Sequence, residues 1–311
     1  DSSVCFGEPG LEERETIENG SLTACLSGFT DIILNSNTLP VIDSKADVIY
    51  VKSKNKNKAL KIHPLGALTV KSEGSEMAEL HEMFDSGAVG FYDYKTSVKN
   101  PNLLKTALQY VQHFDGLIMT FPFEKSICQN GQMNEGEIST LYGLEGIPSL
   151  SEEITLERDL KILEYTGGKL FIPTISTTKS VELIKNAKRK GLQIMTSVSI
   201  NNIFFNEEKL INFDTRFKIL PPLRSEEDRL ILVNALSEGI IDFCTSDHCP
   251  IDIDNKKTDF KNSLFGATGL ESIFGALNSL YKTEKVIEIL TRKKDLFLSL
   301  IHISEPTRRT P

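Results

Sequence analysis

One stretch of the chain sets an acid, a histidine and a thiol side by side: Thr245-Ser246-Asp247-His248-Cys249-Pro250, directly after an apolar run over 240–245. An aspartate there can ligate a metal ion or take a proton from water, and a histidine can ligate, shuttle protons or orient a substrate. The same residues also suit a polar turn in which Asp247 caps the backbone, so the local sequence leaves both readings open. Hydrolytic zinc centres use several imidazoles, because neutral nitrogen donors hold the metal and leave it acidic enough to ionise a bound water. The chain has five histidines: His63, His81, His113, His248 and His302. His81 and His113 fall in helix-like stretches, His302 in the C-terminal tail and His63 in a strand-like run before Pro64, which leaves His248 as the one well placed for chemistry. Cys5 and Cys249 are candidate thiolate ligands, with small buried cysteines as the alternative reading. A Cys249–His248 nucleophilic pair is disfavoured, since adjacent residues seldom point at each other.

The elements that must position these groups repeat along the chain. Eight apolar runs rich in β-branched and aromatic residues read as strands, at 3–6, 29–34, 60–68, 88–92, 116–121, 169–174, 192–198 and 240–245. Helix-like stretches with apolar residues recurring every three and four lie between them, at 75–84, 102–113, 156–165, 179–190 and 226–237. Eight strand–helix units require a parallel sheet and predict a closed (β/α)8 barrel over 1–297, with an open doubly wound sheet as the alternative. Working groups in such barrels come from the C-terminal strand ends and the loops that follow, so the long stretches 124–151 and 201–225 are expected over the active face. The Lys-Asn run at 52–58 reads as solvated surface. The run Ser304-Glu305-Pro306-Thr307-Arg308-Arg309-Thr310-Pro311 continues no preceding pattern, and 298–311 is set aside as a non-native tail.

Composition bounds the partners. The chain has 311 residues, 40% of them hydrophobic and 25% charged, with a net charge of -8. The pI is near 5.3. An acidic chain lacks the basic face that nucleic acid or anionic membrane requires, so neither is expected as a partner. Five scattered cysteines without a C-x-x-C pair, and no run approaching the ~18 apolar residues of a membrane span, predict a cytoplasmic protein.

Seven segments, in order, resemble the dihydroorotase family of the amidohydrolase superfamily. Asp1-Ser2-Ser3-Val4-Cys5-Phe6-Gly7-Glu8-Pro9-Gly10 is similar to the family's D-x-H-x-H-F-R-E-P-G strand, 13–20 to its K-E-T-x-x-T-G helix, and Asn35-Ser36-Asn37-Thr38-Leu39-Pro40 to M-P-N-T-x-P. Gly131-Gln132-Met133-Asn134-Glu135-Gly136 resembles G-x-M-N-E-G, Leu220-Pro221-Pro222-Leu223-Arg224 resembles N-P-P-L-R, 247–251 resembles D-H-A-P-H, and Phe265-Gly266-Ala267-Thr268-Gly269-Leu270-Glu271 resembles F-G-x-x-G-L-E. The resemblance implies a TIM-type barrel with a small β domain built from the chain ends, largely missing here. It also implies a zinc centre acting on the cyclic amide of dihydroorotate in pyrimidine synthesis.

Carried over residue by residue, the implied metal positions fall on Ser3, Cys5, Asp93, Phe121, Thr174 and Asp247. Four imidazoles are absent from that set, and the aspartate of the eighth strand, ligand and base in relatives, is kept as Asp247. Substrate positions change in parallel: the carboxylate-binding arginine is Gly7, the asparagine of N-P-P-L-R is Leu220, and the second histidine of D-H-A-P-H is Ile251. Neither glycine nor leucine can supply the bidentate cation a planar carboxylate needs. Asn37 survives, and with His248 it is the expected substrate contact.

The first expectation is therefore a dihydroorotase-like pseudoenzyme without cofactor, retained as a structural or regulatory partner. Aspartate transcarbamoylase is the first candidate partner, and self-association is left open. The alternative is an active cyclic amidohydrolase, dihydroorotase- or hydantoinase-like, with altered ligation: one zinc held by Asp247, His248, Cys5 and Asp93. A third reading is a metal-free binding module whose mouth is made apolar by Phe121, Leu220 and Ile251.

Overall fold

The computed structural model describes residues 1–55 and 59–291; the set-aside tail at 298–311 and His302 lie outside the described residues. Seven of the eight expected strands form, and the first, expected at 3–6, is reduced to isolated bridges at Val4. Asp31–Leu34 pairs in parallel with Lys61–Pro64, and Gly66 bridges Phe91 to carry the sheet on to Phe91–Tyr92. From there Ile118–Met119, Leu170–Ile172, Ile194–Ser199 and Phe243–Thr245 follow, each parallel to the one before. Val4 closes the ring by bridging Leu34 on one side and His248 on the other, with the Cys5 N–H donating to the His248 carbonyl at 2.7 Å. The result is a closed (β/α)8 barrel.

Alternation along each strand divides the apolar residues between two layers. Val4, Ile32, Leu34, Phe91, Ile118, Leu170, Ile172 and Ile194 face the helices. Ile33, Leu65, Leu117, Met119, Phe121, Phe171 and Met195 fill the barrel interior. Both faces are covered, which is why the strands read as unbroken apolar runs rather than alternating ones. The helices follow their expected signals. Pro101–Val111 starts on an Asn100 cap with proline at its first position and buries 103, 104, 107, 108 and 111. Glu226–Glu238 is capped by Ser225, carries three acids in its first turn and ends at Gly239 in the left-handed conformation.

Three stretches differ from expectation, the first being the helix expected at 75–84, which is helical only over Leu80–Asp85. The region 124–151, expected as one long loop, contains the short helices Lys125–Cys128 and Glu137–Tyr142 and a two-stranded parallel sheet, Met133–Asn134 with Gly146–Ile147. It has its own small core of Met133, Leu210 and Phe260, so local burial stabilises structure that periodicity does not show. The helix expected at 156–165 begins earlier, as Ser149–Thr166, because Pro148 pre-sets the entry. Among the described residues no helix is long and apolar enough to cross a membrane.

Candidate functional site at the barrel mouth

The eighth strand ends at Thr245, and the chain turns sharply through Ser246 and Asp247, whose φ of 48° is unusual for a residue with a Cβ. Asp247 N–H donates back to Thr245 Oγ1 at 3.2 Å. Gly269 presses on the same turn: a Cβ there would lie 2.4 Å from the Ser246 carbonyl oxygen, so only glycine lets the two segments touch. The turn delivers Asp247 into the mouth, buried.

The fourth strand supplies its partner. Beyond Tyr92 the chain turns through Asp93, Tyr94 and Lys95, the last with φ 49° and its N–H donating to the Tyr92 hydroxyl at 3.1 Å. Lys95 Nζ reaches Asp247 Oδ2 at 2.8 Å and lies 5.2 Å from the centre of the Tyr94 ring. Burial pushes the Asp247 carboxyl upward, while the charge and hydrogen bond of Lys95 favour its ionised form. Burial opposes the Lys95 charge as well, and Asp247 outweighs it, so the ammonium is held above its ordinary range.

Two thiols complete this side of the mouth. Cys5 and Cys249 influence each other's ionisation. The neighbouring Cys5 thiol, helped by the Lys95 charge, brings Cys249 down to about 6 against the burial that raises it; Cys5 itself is pushed up, chiefly by burial. The sequence placed both cysteines near the mouth but contained no sign of Lys95, whose neighbours Asp93 and Tyr94 form no motif.

The other expected site residues divide into groups at the mouth and groups held elsewhere. Asn37 has a buried Oδ1 without a hydrogen-bond partner, as does Thr174 at its Oγ1. Asn35, which sequence reasoning did not single out, donates from Nδ2 to Ser3 Oγ at 3.0 Å and lies 3.4 Å from Cys5 Sγ. Phe121 is buried in the inner core, 5.7 Å from Phe123 between ring centres. Asp93 is taken up by Thr69, whose N–H and hydroxyl donate to its two oxygens at 2.9 and 2.6 Å.

His248 corrects an expectation. Its Nδ1 accepts from Gly269 N–H at 3.2 Å, so the ring proton sits on Nε2, which lies 2.8 Å from Glu15 Oε2. Both nitrogens are engaged within the fold, and neither is left for a metal or a substrate. The four-residue set Asp247, His248, Cys5 and Asp93 therefore does not converge. Phe121 offers no donor and Thr174 only a hydroxyl. Among the described residues no three His, Cys, Asp or Glu side chains are grouped to hold a metal ion. The residues present do not fit the zinc centre that the resemblance implies.

The positions that the resemblance assigns to substrate contact are taken up by the fold itself. A Cβ at Gly7 would lie 1.7 Å from the Leu11 carbonyl oxygen, because Leu11 N–H donates to the Gly7 carbonyl in a tight turn. No arginine fits there without moving the loop. Leu220 is buried in the inner core, and Ile251 packs on Gly266.

The loops over this face are fastened by a buried polar network that sequence reasoning missed. Arg224 Nη1 donates to Asn134 Oδ1 at 2.7 Å and to the Ile147 carbonyl at 2.6 Å, and its Nε donates to Ser176 Oγ at 3.1 Å. Glu152 accepts from Ser176 N–H at 2.8 Å and from the Ser180 hydroxyl at 2.7 Å, and Asn134 Nδ2 donates to Glu207 at 2.6 Å. Asn134 and Arg224, which the sequence shows only as members of two separate motifs, meet as partners.

Comparison with known proteins agrees with this architecture. The family described as Dihydro-orotase-like matches residues 1–180. A dihydroorotase of Thermoanaerobacter sp. (strain X514) is 38% identical over 281 residues, covering 90% of this chain and 65% of its own length. One from Pelotomaculum thermopropionicum is 36% identical over 275 residues, covering 88% and 64%. The chain thus spans a little under two thirds of these relatives. Among solved structures, an L-hydantoinase from Arthrobacter aurescens superposes with a TM-score of 0.83 at 21% identity, covering 96% of this chain and 70% of that one. A Saccharomyces cerevisiae dihydroorotase in complex with 5-fluoroorotic acid gives 0.76 at 14% identity, covering 96% and 83%. A mouth built on Asp247 at the end of the eighth strand, within a barrel so matched, makes this chain a member of the dihydroorotase family of the amidohydrolase superfamily.

Proposed function

We propose that the chain is a dihydroorotase-like cyclic amidohydrolase with an altered centre, working in the cytoplasm on the ring amides of pyrimidine synthesis or their close analogues. The observation that carries this reading is Asp247: a buried carboxylate kept at the family position, aimed into the mouth, with Oδ1 lacking a well-formed hydrogen bond. In ring opening such a carboxylate takes the proton of the attacking water, and the Lys95 ammonium 2.8 Å away supplies positive charge for the oxygen of the tetrahedral intermediate. Loss of the arginine at Gly7 shifts preference from an acidic ring toward an uncharged cyclic amide or imide. The test is to assay dihydroorotate in both directions, and hydantoin, with metal content measured on the same sample. Turnover of hydantoin above dihydroorotate is expected; no turnover of either compound would end this reading.

A second reading, a non-hydrolytic structural or regulatory partner with aspartate transcarbamoylase as first candidate, is favoured by a different observation. All four imidazole positions hold other residues, Ser3, Cys5, Phe121 and Thr174, while the shape-giving motifs remain. Native pull-down expects co-purification of the transcarbamoylase; no stable partner would end it.

A further inference from the structure

Lys95 and Asp247 stand 152 residues apart in the chain and each adopts the left-handed backbone conformation, φ 49° and 48°. Side chains with a Cβ take that conformation at a cost, and they keep it where the surroundings determine it. What the two strained turns accomplish together is one contact, Lys95 Nζ to Asp247 Oδ2 at 2.8 Å, with side-chain exposures of 12% and 5%. A carboxylate so buried requires a compensating cation. In a metal centre that cation is the metal ion; here it is an ammonium.

Other candidate ligands nearby are already engaged within the fold. Asp93 is bound by Thr69, His248 by Glu15 and Gly269, and the Asn35 amide faces Ser3 and Cys5. A divalent ion arriving at Asp247 would meet a fixed positive charge within contact distance, with the free thiols of Cys5 and Cys249 as its remaining soft donors. We infer that Lys95 is the resident cation of the barrel mouth, standing in the place of the divalent metal, so that this barrel folds and keeps Asp247 paired without one. The inference uses the mouth geometry alone and holds whether or not the site turns over a substrate.

The experiment uses the full chain expressed with added zinc. Metal analysis is expected to find less than about 0.1 zinc per chain, and a chelator is expected to leave Tm unchanged. Lys95→Met is expected to lower Tm by roughly 5–10 °C, because it leaves a buried carboxylate unpaired. Adding Asp247→Asn to that variant is expected to recover part of the loss, because the unpaired charge is gone. About one zinc per chain, a Tm drop on chelation, or strictly additive effects of the two substitutions would overturn the inference. If Lys95→Met does not fold, the metal and chelator measurements on the unaltered chain still decide. Zinc-dependent turnover would overturn this inference and leave the cyclic amidohydrolase reading standing; a metal-free, inert protein would do the reverse.

Discussion

The mouth and the loop clamp above it are both polar, both buried and both assembled from distant parts of the chain, yet they are bonded differently. Around Arg224 the donors and acceptors find one another: guanidinium to Asn134, Ile147 and Ser176, and Glu152 to two serines. Around Asp247 they do not: Asp247 Oδ1, Asn37 Oδ1, Asn35 Oδ1 and Thr174 Oγ1 are buried without a partner. A buried polar atom left unpaired costs stability, and it persists where something outside the chain is meant to meet it. The clamp is thus satisfied within the fold, and the mouth keeps unused hydrogen-bonding capacity.

That contrast can be broken at the clamp first. Arg224→Met removes the guanidinium that lies 3.9 Å from the buried Glu152 carboxylate, leaving that charge without its cation, and should destabilise the protein by about 3–5 kcal/mol in urea unfolding. A loss under about 1 kcal/mol would mean the network is ornamental. At the first barrel strand's end of the mouth, Glu15→Ala takes away the partner of His248 Nε2 and should cost about 2–3 kcal/mol. Retained stability there would return His248 to the list of groups free to meet a ligand.

Lys218 tests the electrostatic side of the clamp region. It is buried, donates to the carbonyls of Phe260 and Lys261, and is pulled by burial from 10.5 down to about 8. Its folded-state pKa is depressed, so between about 8 and 10.5 the unfolded chain binds the extra proton and stability from this group rises with pH. Unfolding free energies of the unaltered chain and of Lys218→Met should therefore diverge in favour of the former across that window. A constant gap would show that the carbonyl acceptors cancel the burial. The smallest effect belongs to the mouth: Asn37→Ala should change stability by no more than about 0.5 kcal/mol, since its carbonyl oxygen has no partner to lose. A large loss would make the mouth a structural site like the clamp.

The legible part of this protein lies in its backbone instructions. Strand positions could be read because residues buried on both faces, such as Ile32, Ile33 and Leu34, must all be apolar. The turn at Asp247 could be read because Gly269 is required by the approach of Ser246, and glycine leaves that mark in sequence. The secondary structure within 124–151 could not, because it depends on Met133 meeting Leu210 and Phe260 far along the chain.

Sequence by itself determined the barrel and the family, and through the resemblance it marked Asp247 and the positions without imidazoles, because these are statements about residue types at positions along one dimension. Tertiary structure alone decided that Lys95 is the partner of Asp247, that His248 belongs to Glu15, and that Arg224 fastens Asn134. The physical reason is common to the three. Hydrogen bonds and ion pairs act over a few ångströms between residues 90 to 233 positions apart, and no local pattern encodes which of several available partners a folded chain will bring within reach.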